Sequence, residues 1–296
     1  MKSNTAGRFA RSTKEPDMHV QRIAAFSDGP SGGNPAGVVL CDGALPTPAE
    51  MQRVATEVGF SETAFAAPTG DGGWQVRYFS PAAEVPFCGH ATIALGAALA
   101  RAYGDGRFAL HLSQADISVE GHRDGALVGA ALQSPPTLAS RPLSPAVLGE
   151  ALALFGLAQT DLDPRLPPAR IHAGADHLVL GLGSRAKLAA MRYDFEAGRA
   201  LMTREGWVTI LLAFAETPTR WHTRNAFAFG GVVEDPATGA ATAALAGYLR
   251  EIGWPHGGHI DVVQGEDMGA RSLLHADIGL EPGSSIRVSG TARQMK

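Results

Sequence analysis

Only two of the 296 residues are cysteines, Cys41 and Cys88. That is too few for a disulfide framework or a Cys-rich zinc site, and the pair reads as two reduced thiols of a cytoplasmic protein. No apolar run reaches the ~18 residues of a membrane-spanning helix. Basic stripes and basic amphipathic segments are also missing, and with a net charge of -4 nothing points to nucleic acid or a membrane surface. There is no H-E-x-x-H pair and no C-x-x-C. His256 and His259 sit in "PHGGHI" without an acid or thiol at ligand spacing, so they read as a polar loop and no metal site is assigned. What remains, 45% hydrophobic and 18% charged residues, fits a soluble globular protein of one large or two ordinary domains.

The start, residues 1–17, is polar and basic and lacks the apolar core of a secretory signal. It is expected to be a disordered leader, with the fold beginning near Met18.

The chain repeats itself. "EVPFCGHATIALGAAL" (Glu84 to Leu99) and "EDPATGAATAALAGYL" (Glu234 to Leu249) align at a constant offset of 150 residues. Glu84, Gly89, Ala91, Thr92, Leu95 and Leu99 fall on Glu234, Gly239, Ala241, Thr242, Leu245 and Leu249. Read without a gap, Phe79 also falls on Phe229. "GFSETAFAAP" from Gly59 and "GWVTILLAFAE" from Gly206 precede the two motifs, and "AGVVL" and "DHLVLGL" form early β-rich runs in each half. Two related domains follow, 18–134 and 135–296, with the Pro- and Ser-rich "LQSPPTLASRPLSP" between them as linker and the last residues free to pack on the first domain. "PAEMQRVATEV" reads as an amphipathic helix with Thr47 as N-cap and Pro48 at its first position. The segments after Gly89 and Gly239 are apolar all round, as in buried helices. The fold class is therefore α/β, two pseudo-symmetric domains, each a mixed sheet wrapped around one central helix.

A helix start exposes unpaired N–H groups and the positive end of the helix dipole, which suits an anion. Two such starts aimed at one cleft can hold a carboxylate from both sides, with Gly89 and Gly239 admitting the ligand to the backbone. Taken singly, each glycine is equally well explained by close helix–sheet packing. Four side chains nearby can carry protons. Glu62, between Phe60 and Phe65, suits a general acid/base if desolvation raises its pKa; in isolation a solvent-facing Glu is the commoner case. His90 at a helix start is expected to be neutral, as a proton relay or as a buried structural imidazole. Asp235 either N-caps the second helix or orients substrate. Cys88, at a helix start, is expected to have a lowered thiol pKa. Its repeat partner is Thr238, a poor base, so a symmetric two-thiol mechanism is absent.

The pieces "AFSDGPSGGNPAGVVL", "GFSETAF", "RYFSPAAEVPFCGHAT", "EDPATGAAT" and "QGEDMGARS", in this order, resemble the PhzF-like family of the diaminopimelate-epimerase-like fold, from Val20 to the end. The resemblance implies two sheet-wrapped domains with the site between them, a homodimer, and no cofactor or metal. The phenazine-pathway member isomerises trans-2,3-dihydro-3-hydroxyanthranilate by moving a proton. It implies Glu62 as acid/base, His90 and Asp235 as catalytic assistants, and Ser61, Cys88, Gly89, Thr238, Gly239, Ala240, Gln264 and Gly265 around the substrate. Ala240 stands where the phenazine enzyme has serine, and Arg271 is displaced from the usual "GRPS" position. The alternatives are a proline-racemase- or hydroxyproline-dehydratase-like enzyme using Cys88, and a carboxylate-binding relative without catalysis.

Overall fold

The computed structural model describes residues 18–113, 115–125 and 127–296; the expected leader lies outside them. The first half runs β1 (Gln21–Ala25), β2 (Asn34–Leu40), α1 (Pro48–Val58), β3 (Thr63–Pro68), β4 (Trp74–Phe79), β5 (Glu84–Val85), α2 (Gly89–Tyr103), β6 (Gly106–His111), β7 (Asp116–Asp124) and β8 (Leu127–Gln133). The second runs β9 (Thr137–Pro142), α3 (Pro145–Leu154), β10 (Ala169–Ala173), β11 (Asp176–Gly181), α4 (Arg185–Ala189), α5 (Phe195–Glu205), β12 (Thr209–Ala215), β13 (Arg220–Ala226), β14 (Glu234–Asp235), α6 (Gly239–Glu251), β15 (His259–Gln264), β16 (Ser272–Asp277) and β17 (Arg287–Gln294).

The halves share one pairing plan. β2 runs parallel to β3 as β11 does to β12, and β4 parallel to β6 as β13 does to β15. Strands β1, β2, β3, β4, β6, β7, β8 and β17 close into a ring around α2. A second sheet, from β9 to β17, curls around α6. β17 belongs to both: its first residues lie between β16 and β8, and Ala292 to Gln294 pair with β1.

The apolar, small-residue character of the two central segments produces this arrangement. In α2 every residue from His90 to Ala100 is buried, and in α6 every residue from Ala241 to Leu249. Ile93, Leu95 and Leu99 are fully buried, each contributing about 1.5–3 kcal/mol by leaving water. The sheet approaches closely because α2 is small-sided: a methyl on Gly96 would sit 2.5 Å from Val119 Cγ2. Helix α1 starts as its sequence predicts, with Thr47 and Glu50 completing a capping box after which Pro48 opens the first turn.

Two readings of the sequence change. The Pro-rich segment after β8 is not simply a linker, because Thr137–Pro142 forms β9 against β10, with Pro142 as its last residue. Among the described residues the register of β9 is with β10, and its proline stands at the last position, where a missing N–H costs the ladder little. The repeat also carries a gap. Glu84 pairs with Phe79, whereas Glu234 pairs with Ala226, so the second hairpin loop is three residues longer. Phe79 thus corresponds to Ala226 and not to Phe229: Phe79 is 3% exposed in the core and Phe229 50% exposed on the loop.

Corrected this way, the repeat reveals a clamp. Arg77, two residues before Phe79, pairs with Glu84; Arg224, two before Ala226, pairs with Glu234. The repeated glutamates therefore fasten the two hairpins that lead into α2 and α6. The first pair is partly exposed. The second is buried, and Arg224 also donates to Ala189 O and Met191 O. Replacing Glu234 with Ala should cost about 3–5 kcal/mol, as expected when a buried charge loses its partner. The same change at Glu84 should cost no more than about 1 kcal/mol. Urea unfolding of the two variants measures the difference, and equal losses would contradict the burial argument.

Candidate active site

Glu62 immediately precedes β3, and its carbonyl accepts from Gly37 N on β2. Cys88 and His90 lie at the start of α2, Asp235 ends β14, and Thr238 and Gly239 open α6. The starts of the two central helices bring these residues together.

His90 is the centre of the first-half group. Its Nε2 lies 3.4 Å from Glu62 Oε2 and 3.4 Å from Ser61 Oγ, and its Nδ1 lies 3.3 Å from Cys88 Sγ. Its side chain is 8% exposed and that of Glu62 15%, so this contact is largely shielded from water. No side-chain atom of α2 caps its start, and a methyl placed on Gly89 would meet nothing within 4 Å. Backbone N–H groups and open space therefore adjoin Glu62 and His90.

Asp235 enters from the second half, close enough to be influenced by both His90 and Glu62. Its Oδ1 accepts from Asn34 Nδ2 at 2.8 Å and its Oδ2 from Thr238 Oγ1 at 2.5 Å. It does not N-cap α6. Its carboxylate takes the Thr238 hydroxyl instead, and the cap-position N–H of Thr238 goes to Gln264 Oε1 at 3.1 Å. Burial pushes the Asp235 carboxyl up to about 6, opposed by the field of His90 and the Thr238 hydrogen bond.

The thiol behaves opposite to the expectation. Cys88 is half-buried, and desolvation followed by the Glu62 carboxylate drives its pKa well above the ordinary thiol value. The helix start does not compensate for the lost water and the nearby negative charge.

Gln264 is fully buried behind the site. Its Nε2 donates to Asp235 O at 2.7 Å and to Thr238 Oγ1 at 3.0 Å. The side-chain amide is thus spent on the loop and does not face a ligand. Gly265 is likewise a backbone element, with φ +74, and a methyl there would lie 2.5 Å from Ala270 O and 2.7 Å from Pro236 O. Ala240 is a half-buried residue in the first turn of α6. The displaced Arg271 reaches across to Asp28 of the first half.

Sequence reasoning missed Asn34. This buried residue of β2 binds Asp235 and Ala237 O, joining the halves at the site. A search for repeated residues passes over it, because the parallel registers set Asn34 against Gly174. The same registers set Glu62 against Val208, the residues before Thr63 and Thr209. The second half has no carboxylate at the place of Glu62.

Two sheet-wrapped helices whose starts face one another, with a carboxylate, an imidazole and a buried aspartate between them, define an α/β protein of the epimerase-like class. The comparisons narrow this. The model of the phenazine biosynthesis-like (PhzC-PhzF) family matches residues 23–296, and the chain belongs to that family. The trans-2,3-dihydro-3-hydroxyanthranilate isomerase of Pseudomonas chlororaphis is 33% identical over 265 residues, covering 87% of this chain and 89% of the relative. A Bacillus anthracis phenazine biosynthesis protein of the PhzF family superposes with a TM-score of 0.81 at 23% identity, covering 94% and 97% of the two chains. A probable proline racemase from Agrobacterium radiobacter shares the fold at a TM-score of 0.64 and 11% identity, covering 93% and 90%. The protein is an isomerase of the PhzF type.

The raised Asp235 pKa has a stability consequence. The folded state holds this proton more tightly than the unfolded chain, so the contribution is full below about pH 4 and is lost as pH rises through 6. In Asp235→Asn this titration is absent. Relative to wild type, the variant should gain about 2–3 kcal/mol between pH 4 and pH 7. Denaturant unfolding at the two pH values measures this, and a pH-independent difference would contradict the assignment.

Proposed function

We propose that the protein moves a proton within a small cyclic carboxylate, with Glu62 as the acid/base. The observation that carries this reading is the contact of Glu62 with His90 beside the open backbone of Gly89, with Val208 in the corresponding place of the second half. One base suffices when the proton leaves and returns on the same face of a ring. A two-base racemisation needs a second group opposite, and the repeat supplies none there.

The parts have distinct work. Glu62 takes the proton and returns it at a neighbouring atom. His90, bridging Glu62, Ser61 and Cys88, assists the transfer and holds the carboxylate in place. Asp235, held by Asn34 and Thr238 and titrating near 6, orients a polar substrate group. The helix starts at Gly89 and Gly239 receive the substrate carboxylate through backbone N–H groups. These protein groups supply every proton the shift needs, and the proposed reaction uses no cofactor. The two free thiols suit the cytoplasm, and the homodimer enters this proposal from the family resemblance. The substrate proposed is of the class of trans-2,3-dihydro-3-hydroxyanthranilate, on which the 33%-identical relatives act by name. Ala240 offers a methyl where that enzyme presents a hydroxyl, so the match is to the class.

Thiol catalysis is the weaker reading. Cys88 is held protonated, and the hydroxyl of its repeat partner Thr238 is spent on Asp235.

Glu62→Gln should lower deuterium incorporation into trans-2,3-dihydro-3-hydroxyanthranilate and related cyclic 3-hydroxy carboxylates by roughly 10²–10⁴-fold, the range for a lost general base. Mass spectrometry reads the exchange, and an unchanged rate would sink the role of Glu62. Cys88 should react with iodoacetamide at pH 7 roughly tenfold more slowly than free cysteine, since the thiolate is the nucleophile. Rapid alkylation with parallel loss of exchange would favour the thiol instead.

A further inference from the structure

Asp235 belongs to a hydrogen-bond chain whose direction is fixed throughout. Gln264 Oε1 accepts from Thr238 N, so Gln264 Nε2 is the donor to Asp235 O and to Thr238 Oγ1. The one hydroxyl hydrogen of Thr238 is then left for Asp235 Oδ2. On the other side, Asn34 Nδ2 lies 2.8 Å from Asp235 Oδ1 and 3.1 Å from Ala237 O. A backbone carbonyl only accepts, so the Asn34 amide cannot be turned over, and both of its hydrogens are committed. Each carboxylate oxygen of Asp235 thus receives one hydrogen, one from its own half and one from the other.

The backbone seats this second donor. Asn34 opens β2 opposite Ala25, and the turn before it rests on the second half. Gly33 N donates to Arg271 O, and a methyl on Gly32 would fall on that same oxygen. Asn34 is 2% exposed, and its repeat counterpart is Gly174, so the second half has no such amide.

We propose that Asn34 is a positioning residue, by which the first half holds Asp235 of the second half as an oriented carboxylate, so that this acid is set for reaction only when the halves are in register. The effect on turnover rests on the role proposed for Asp235; the contact and its effect on ionisation do not. The surroundings explain why a donor is needed. Glu62, Cys88 and His90 face the buried carboxyl from the first half, and the Thr238 hydroxyl from the start of α6. Burial and the Glu62 carboxylate favour the protonated acid, whereas His90, Thr238 and Asn34 favour the carboxylate. With the Asp235 pKa already pushed up to about 6, losing one donor is enough to carry it across neutral pH.

The test replaces Asn34 with Leu, which keeps the shape and removes both donors. Carboxyl ¹³C NMR of the full chain follows Asp235, whose signal is assigned by its absence from Asp235→Ala. In Asn34→Leu the Asp235 midpoint should rise by about one pH unit, since a donor to a charged group is worth roughly tenfold or more. Deuterium incorporation into trans-2,3-dihydro-3-hydroxyanthranilate at pH 7 should fall roughly 10–100-fold. In the Asp235→Ala background the same change should cost less than about threefold, because the contact it removes is already gone. Unchanged far-ultraviolet circular dichroism confirms the folds. Should Asn34→Leu not fold, Asn34→Asp exchanges the donor for an acceptor of the same shape. Two carboxyls in contact do not both ionise, so the Asp235 midpoint should again rise. An unmoved midpoint in a folded Asn34 variant, or an equal fall in exchange with and without Asp235, would overturn the assignment. A raised midpoint with unchanged exchange would instead overturn the role of Asp235 in turnover and leave the Asn34 contact standing.

Discussion

Strand β17 is the element on which the rest of the molecule depends. Its backbone pairs with β16 of one sheet and with β8 and β1 of the other. A strand has only two hydrogen-bonding edges, so shared pairing fixes the sheets rigidly with respect to each other. Each sheet wraps one helix, and fixing the sheets fixes the helices. The starts of α2 and α6 are thereby aimed at one place, although they are 150 residues apart in the chain. The Arg271–Asp28 pair and the Asn34–Asp235 hydrogen bond then tie the halves together around that place.

The symmetry is one of scaffold, and the chemistry departs from it. The hairpin clamps, Arg77–Glu84 and Arg224–Glu234, occur twice, as do the glycine-opened helices. The reactive groups occur once. Glu62 has Val208 as its counterpart, Cys88 has Thr238, and His90 has Ala240. A duplicated frame supplies two aimed helix ends, while single-copy side chains make the two ends chemically different, the asymmetry on which the proposed role of Glu62 rests. Burial then sorts these groups: Asp235 is lifted towards neutrality and Cys88 is kept as a thiol.

Much of this was legible in the sequence because the signals are local. The capping box at Thr47, the all-apolar helices and the repeat register from Glu84 onward depend on neighbours in the chain. Motif order was enough to suggest the family. The failures share a different cause. The gap before Glu234, the pairing of Thr137–Pro142 and the raised thiol pKa of Cys88 depend on partners far away in sequence. Asn34 was invisible for the same reason, since its partner lies 201 positions on.

The sequence by itself determined most of the elements and their duplication and supplied the candidate site residues, because periodicity, capping and spacing act over a few residues. Only the tertiary structure decided that β17 serves both sheets, that the repeated glutamates are clamps, and that Asn34 and Gln264 hold the loop carrying Asp235. It also decided which acid is lifted and which thiol is silenced. Those outcomes are set by desolvation and by charges a few ångströms away, and both exist only once distant segments have packed.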